Sequence, residues 1–194
     1  MSADDAGRWN ARYQQGWHSG APQPREVLLR AAKLFQTGGL VLDLAMGMGA
    51  NACWLLQNGF RVVGVDVSSV AVQFAKCQSQ DLMAFIGDLG EYHFPPAVFS
   101  AVLNFYFLDR SVLSDLSRIL IPNGFAVVEA LTVDMLEIKP ELPREFLLQA
   151  GELRDLFSGW MVHDYFEGWR DSEHGGREAV ASIIAQLPGD AAKC

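Results

Sequence analysis

The chain has 194 residues, 50% of them hydrophobic and 20% charged, with a formal net charge of −8 at pH 7. That length fits one core, because single cores stop growing near about 250–300 residues, and the composition is that of a globular protein rather than a disordered one. The acidic balance disfavours a phosphate backbone or an anionic membrane as partner, and the apolar run 101–108 falls far short of the ~18 residues that mark a membrane span.

The opening Met1-Ser-Ala-Asp-Asp-Ala-Gly7 is polar and acidic, unlike a secretory leader. The three cysteines Cys53, Cys77 and Cys194 are odd in number and far apart, so they form neither a disulfide framework nor a CxxC pair. A reducing, cytoplasmic compartment is expected. His18, His93, His163 and His174 show no metal-ligand spacing, so no metal site is expected.

Residues 1–24 read as an aromatic lead containing Trp9, Tyr13, Gly16, Trp17, Gly20, Pro22 and Pro24. Val27, Leu28, Ala31, Leu34 and Phe35 then recur at helical spacing, and the helix stops at Gly38-Gly39. The glycine-bounded apolar run 40–44 reads as a buried strand. A helix over 50–58, a strand over 60–65, a helix over 70–77 and a strand over 82–86 follow. A fourth strand is expected over 101–105, with little room for a helix between 88 and 100. Val112, Leu113, Leu116, Ile119 and Leu120 mark a further helical face. The turn Pro122-Asn-Gly124 leads into a fifth strand over 125–128. Strands alternating with helices imply right-handed βαβ units and a mainly parallel sheet. Past Thr132 a loop with Pro140 and Pro143 precedes a short helix carrying Leu153, Leu156 and Phe157. Strands over 160–166 and 178–184 flank Gly175-Gly176, and two strands joined without a helix pair antiparallel. Met46, Met48, Met83, Met135 and Met161 are read as packing residues.

The strongest chemical signal is Asp43-Leu-Ala-Met-Gly47-Met-Gly49-Ala-Asn-Ala52, between a strand and a helix. Glycines there let the backbone turn sharply and approach a ligand, and the helix start that follows presents free N–H groups. About twenty residues on, Asp66 ends the second strand, where a carboxylate can accept from ribose hydroxyls. Asp88 follows the third strand. All three acids fall at carboxyl ends of adjacent parallel strands, where ligands bind in such sheets. Singly, each reads as an ordinary turn or cap, and Gly47-Met-Gly49-Ala-Asn-Ala52 alone also fits the dinucleotide fingerprint with Ala in the third place.

Together, the run from Val41 to Ala75 resembles the class I S-adenosylmethionine-dependent methyltransferases, whose first motif reads roughly Asp-Leu-Gly-x-Gly-x-Gly. Ala45 stands where that motif has its first glycine. Asp66-Val67-Ser68 is similar to the family's ribose-binding position, Gly87-Asp88-Leu89 to its adenine-binding position, and Leu120-Ile-Pro122-Asn-Gly124 to its turn before the fifth strand. Within the class the chain resembles the small bacterial group related to tellurite-resistance and thiopurine methyltransferases, through Trp9-Asn-Ala-Arg-Tyr13, Asn51-Ala52, the segment 146–153 and Tyr165-Phe-Glu-Gly168. The resemblance implies a Rossmann-like three-layer α/β sandwich, with a mostly parallel seven-stranded sheet and an antiparallel strand near the C-terminus. It implies one methyltransferase domain over 1–194: an N-terminal lead and helix (1–38), a cofactor-binding core (39–131) and a C-terminal helix with antiparallel strands (132–194).

The resemblance further implies S-adenosyl-L-methionine as donor and S-adenosyl-L-homocysteine as product. The donor would be held by Arg12, Asp43, Ala45, Gly47, Gly49, Asn51, Asp66, Val67, Ser68, Asp88, Leu89 and Asn104. Methyl transfer from a sulfonium is an in-line displacement, so the protein's task is positioning and water exclusion rather than acid–base chemistry. The segment 104–110 faces the methyl group in the family, which makes Asn104, Tyr106 and Arg110 the candidates for substrate handling; Arg110 otherwise reads as offsetting helix charge. Arg12 is a candidate for the donor's carboxylate, with Trp9, Tyr13 or Trp17 as lid or cation–π partners. A small-molecule acceptor is expected, and no nucleic acid. A non-catalytic binding module of the same fold and an NAD-dependent oxidoreductase stand as alternatives.

Overall fold

The computed structural model describes residues 3–16, 23–172 and 175–189. One sheet holds β1 (Leu40–Leu44), β2 (Arg61–Asp66), β3 (Met83–Ile86), β4 (Phe99–Phe105), β5 (Leu120–Leu131), β6 (Met161–Asp171) and β7 (Arg177–Gln186). Their order is β3-β2-β1-β4-β5-β7-β6. The first three strands step outward from β1, and β4 returns to its other side. Connections therefore diverge between β1 and β4, opening a crevice at their carboxyl ends. The pairs β1/β2, β1/β4, β2/β3 and β4/β5 are parallel. β7 runs antiparallel to both β5 and β6, as the late hairpin implied.

Buried apolar runs put both sheet faces in contact with helices. On one face pack α2 (Glu26–Ala31), α3 (Ala50–Gln57) and α4 (Ser69–Gln78), through Leu28, Leu55 and Val72. On the other lie α5 (Arg110–Ile119) and α6 (Glu152–Leu156), through Leu116 and Leu153. Three layers result. Among the described residues, no helix is long and apolar enough to cross a membrane.

Three details depart from the sequence reading, and a fourth, the missing helix between β3 and β4, agrees with it. The lead contains a helix, α1 (Ala3–Gln14), because nothing between Arg8 and Gln15 breaks it before Gly16 turns left-handed at φ 75°. α2 is shorter than its apolar pattern. Tight turns, with Leu34 N–H donating to Ala31 O and Phe35 N–H to Ala32 O, bury Phe35 and leave Leu34 43% exposed. The turn 122–124 lies inside β5 as a bulge: Phe99 pairs with Leu120 and Ala101 with Phe125, so the chain between them loops out through Asn123 at φ 64°. Between β3 and β4 stands an aromatic chain where a crossover helix would pack, Phe85–Tyr92–Phe94–Phe99 with centroids 4.9, 4.8 and 5.8 Å apart.

The methionines divide. Met46 and Met135 are buried, and Met46 fills the space left open by the absent side chain of Gly64. Met48 is half-buried, while Met83 and Met161 are 48% and 61% exposed, because both lie on edge strands with nothing packed over them.

Candidate active site

The loop after β1 turns on three left-handed residues, Ala45 (φ 50°), Gly47 (φ 54°) and Gly49 (φ 79°). Gly49 has a second reason to lack a side chain: a Cβ there would stand 2.7 Å from that of Ala75 on α4. Ala45 tolerates a conformation that costs an L-residue about 1–2 kcal/mol. Ala45→Gly is accordingly expected to raise the melting temperature by roughly 2–4 °C, checked by thermal unfolding.

Asp43 is buried at the end of β1 and accepts from the Ala52 N–H at the start of α3. Its Oδ2 has no hydrogen-bond partner. Burial, together with the neighbouring Asp66 carboxylate, pushes its pKa up to about 8. A carboxyl whose folded pKa is raised adds stability fully present below its unfolded pKa and lost as pH rises through the folded value. Between about pH 4 and 8 the folded state should therefore lose stability that an Asp43→Asn variant keeps, a difference read from urea midpoints across that range.

Asp66 ends β2 and ties the loop after β1 to the start of α4. Its Oδ2 accepts from Gly47 N–H at 2.8 Å and its Oδ1 from Ser68 N–H at 2.8 Å. Burial raises its pKa, while the amides of Ser68, Gly47 and Val67 pull it back. Ser68 is itself buried and caps α4, accepting from Ala71 N–H at 3.2 Å. It donates to Asn10 on α1 at 2.7 Å, and the same Asn10 oxygen accepts from Val70 N–H at 3.2 Å. α1 is thus latched across the start of α4 beside the loop. Tyr13 carries its hydroxyl against Gly47, and burial together with the Asp66 carboxylate holds that hydroxyl well above the usual phenol range. Asn10→Ala should cost about 0.5–2 kcal/mol, as loss of a cap does, and speed proteolysis within α1.

The other predicted residues lie around this centre. Asn51 starts α3 and accepts from Arg25 N–H at 2.9 Å. Val67 and Leu89 are buried. Asp88 Oδ1 accepts from Gly90 N–H at 2.9 Å. Arg12 stands 5.2 Å from the ring centroid of Trp9, which stacks on Tyr13 at 5.9 Å. Trp17, Gly20, Pro22, His18, His174 and Cys194 lie outside the described residues. Among the described residues, no group of three or more His, Cys, Asp or Glu side chains is placed to hold a metal ion.

Past the carboxyl end of β4 the chain makes a strained corner. Tyr106 is left-handed at φ 59°, and its N–H donates to Glu129 O at 2.8 Å. Asn104 is fully buried; its Nδ2 donates to Phe107 O at 2.7 Å and its Oδ1 has no partner. The Tyr106 ring lies 4.4 Å below the Arg25 guanidinium, and its hydroxyl donates to Glu178 Oε1 at 2.8 Å. Arg170 ties the corner together, donating to both oxygens of Glu129 at 2.7 and 2.8 Å, to Tyr106 Oη at 2.9 Å and to Glu178. Burial, then the Glu129 carboxylate, keeps Tyr106 well above the usual phenol range, so it is no general base at neutral pH.

Arg110 is directed elsewhere. Its guanidinium binds Glu152 at 2.5 and 3.0 Å and the carbonyls of Glu145 and Leu147, tying α5 to the segment before α6. The structure therefore brings Asp43, Gly47, Asp66 and Ser68 together, gathers Asn104 and Tyr106 at the neighbouring strand, and sets Arg110 apart. Sequence reasoning missed Asn10, Glu129, Arg170 and Glu178. One signal was available: Glu129 is the lone acid in the apolar run 125–131.

Residues 41–124 match the family of methyltransferase domains. Fifty residues are 42% identical to the 23S rRNA (uracil(747)-C(5))-methyltransferase of Pyrococcus abyssi, a match covering 26% of this chain and only 12% of that protein. The fold is similar to that of an S-adenosylmethionine-dependent methyltransferase from Methanosarcina mazei, with TM-score 0.68 and 15% identity, over 86% of this chain and 99% of that one. It is also similar to TehB from Haemophilus influenzae, with TM-score 0.69 and 19% identity, over 84% of this chain and 62% of that one.

Proposed function

We propose that the protein, whose residues 41–124 match the methyltransferase-domain family and whose fold is similar to that of S-adenosylmethionine-dependent methyltransferases, transfers a methyl group from S-adenosyl-L-methionine to a small-molecule acceptor. The observation that carries the reading is the pair of acids at the switch point. Asp66 is fixed by two backbone amides, and Asp43 keeps a buried, unpartnered oxygen beside the glycine-bordered loop. A ligand with ribose hydroxyls fits that pair, because both acids offer acceptor sites and none of the surrounding bonds uses them all. Asp66 would hold the ribose, Asp88 and Leu89 would border the adenine, and Asp43 and Asn104 would face the amino-acid end. When bound, the donor supplies an activated methyl group; the chain's own residues orient the acceptor and exclude water. The net charge of −8 supports a small acceptor over nucleic acid.

Thermal unfolding tests this. S-adenosylhomocysteine at ~100 times its dissociation constant should stabilise the fold by about 2.7 kcal/mol, while NADH should not. No shift with donor or product would overturn the reading. Ala45 and Met46 in the loop favour a second reading, a fold that binds the donor without transferring the methyl. Release of S-adenosylhomocysteine on incubation with acceptors separates the two.

A further inference from the structure

We propose that Asp43 makes the donor site selective for ligands with a cationic amino-acid end, by giving up a proton when their ammonium group arrives. The proposal rests on the methyl-transfer reading and adds to it what this acid does in its donor site.

Asp43 and Asp66 stand at the carboxyl ends of the neighbouring strands β1 and β2, 1% and 5% exposed. The two are unequally provided with donors. Asp66 accepts from the amides of Ser68, Gly47 and Val67. Asp43 accepts from the Ala52 N–H, and its buried Oδ2 has no partner. Two neighbouring buried carboxylates do not both stay ionised without a cation beside them, and the proton remains on the acid with fewer donors. That acid is Asp43, which keeps its proton up to about pH 8.

The groups around the pair leave this arrangement in place. On β2, the Asp66 carboxylate opposes ionisation of Asp43. On α3, burial and the Asp43 carboxylate push the Cys53 thiol up. From α1, Tyr13 feels Asp66 and is held well above the usual phenol range, and the nearby Arg12 bears on Tyr13.

An ammonium group offers three donors and a full positive charge. Set against Asp43 Oδ2, it satisfies the open oxygen and leaves Asp66 ionised alongside. Binding is then an exchange. The O–H bond of Asp43 breaks, its electron pair stays on oxygen, and the proton passes to solvent as the ligand's N–H groups take its place. The charge held in the site is the same before and after. A ligand with the adenosine part alone meets the acceptors of Asp66 and leaves Asp43 protonated. Because the ammonium binds only the ionised acid, affinity rises with pH and levels above about pH 8.

Isothermal titration in buffers of different ionisation enthalpy counts the protons released. The probes are S-adenosylhomocysteine and 5′-methylthioadenosine, which has the adenosyl thioether without the amino acid. At about pH 6.5, S-adenosylhomocysteine should release roughly one proton and 5′-methylthioadenosine none. Between about pH 6.5 and 7.5 the affinity for S-adenosylhomocysteine should rise nearly tenfold, while that for 5′-methylthioadenosine stays level. Asp43→Asn should abolish the release and flatten the pH profile. If that variant does not fold, the two probes on the wild-type chain still decide. Binding of S-adenosylhomocysteine without proton release, equal release by both probes, or release that persists in Asp43→Asn overturns the proposal. Absence of any S-adenosylhomocysteine binding across the pH range overturns the methyl-transfer reading instead.

Discussion

Arg170→Met is expected to lower the unfolding free energy by about 3–5 kcal/mol, the cost of leaving a buried charge without its partner. Glu129 sits mid-sheet, with its side chain 1% exposed, and both of its oxygens are bonded by Arg170 alone. Methionine keeps the apolar stem of Arg170 and removes the donors, so the loss reports on the charge rather than on packing. For a chain of this size the melting temperature should fall by roughly 10 °C. The double variant Glu129→Leu with Arg170→Met should recover most of that loss, because replacing both partners removes the desolvation penalty along with the pair. A double variant no more stable than Arg170→Met alone would mean that the cost lay elsewhere, in the bonds to Tyr106 and Glu178. Arg170→Lys should recover little, since an ammonium cannot reproduce the two-pronged contact with a carboxylate.

The same cluster shows which parts of the site were legible in the sequence. The stretch β1–α3–β2–α4 could be read almost residue by residue. Each element there is bounded by a glycine or by a capping serine, and its partners lie a short distance along the chain, as with Gly47 and Asp66 at a separation of 19. The Arg170–Glu129 pair spans 41 residues and the Arg110–Glu152 pair 42, joining elements that local periodicity does not connect. Residue type alone suggested that Arg110 handles substrate; its orientation depends on where the segment before α6 packs. α1 escaped because its glycine- and aromatic-containing sequence carries few apolar residues to mark a helical face, and Asn10, which latches it, bonds partners 58 and 60 residues away.

Asp66→Ala should weaken donor binding by roughly 10–100-fold, because of the hydrogen bonds that Asp66 already makes. Each carboxylate oxygen accepts one amide, from Gly47 or from Ser68, and each can accept again. Those bonds fix the carboxylate before any ligand arrives, so a ribose would meet acceptors that need no reorganisation. Removing the side chain deletes those acceptors and also leaves the Gly47 N–H without its partner in the loop that must approach the ligand. Hydrogen bonds to a charged group are worth about 1.5–3 kcal/mol, which predicts a loss of affinity of roughly 10–100-fold. Asp66→Asn separates the two contributions: it keeps one carbonyl oxygen but turns a donor toward one of the two amides. Isothermal titration with S-adenosylhomocysteine would read the series, and the expected order of affinity is wild type, then Asn, then Ala. Wild-type affinity in Asp66→Ala would mean that Asp66 serves only to tie the loop to β2, and that the ribose is held by another group.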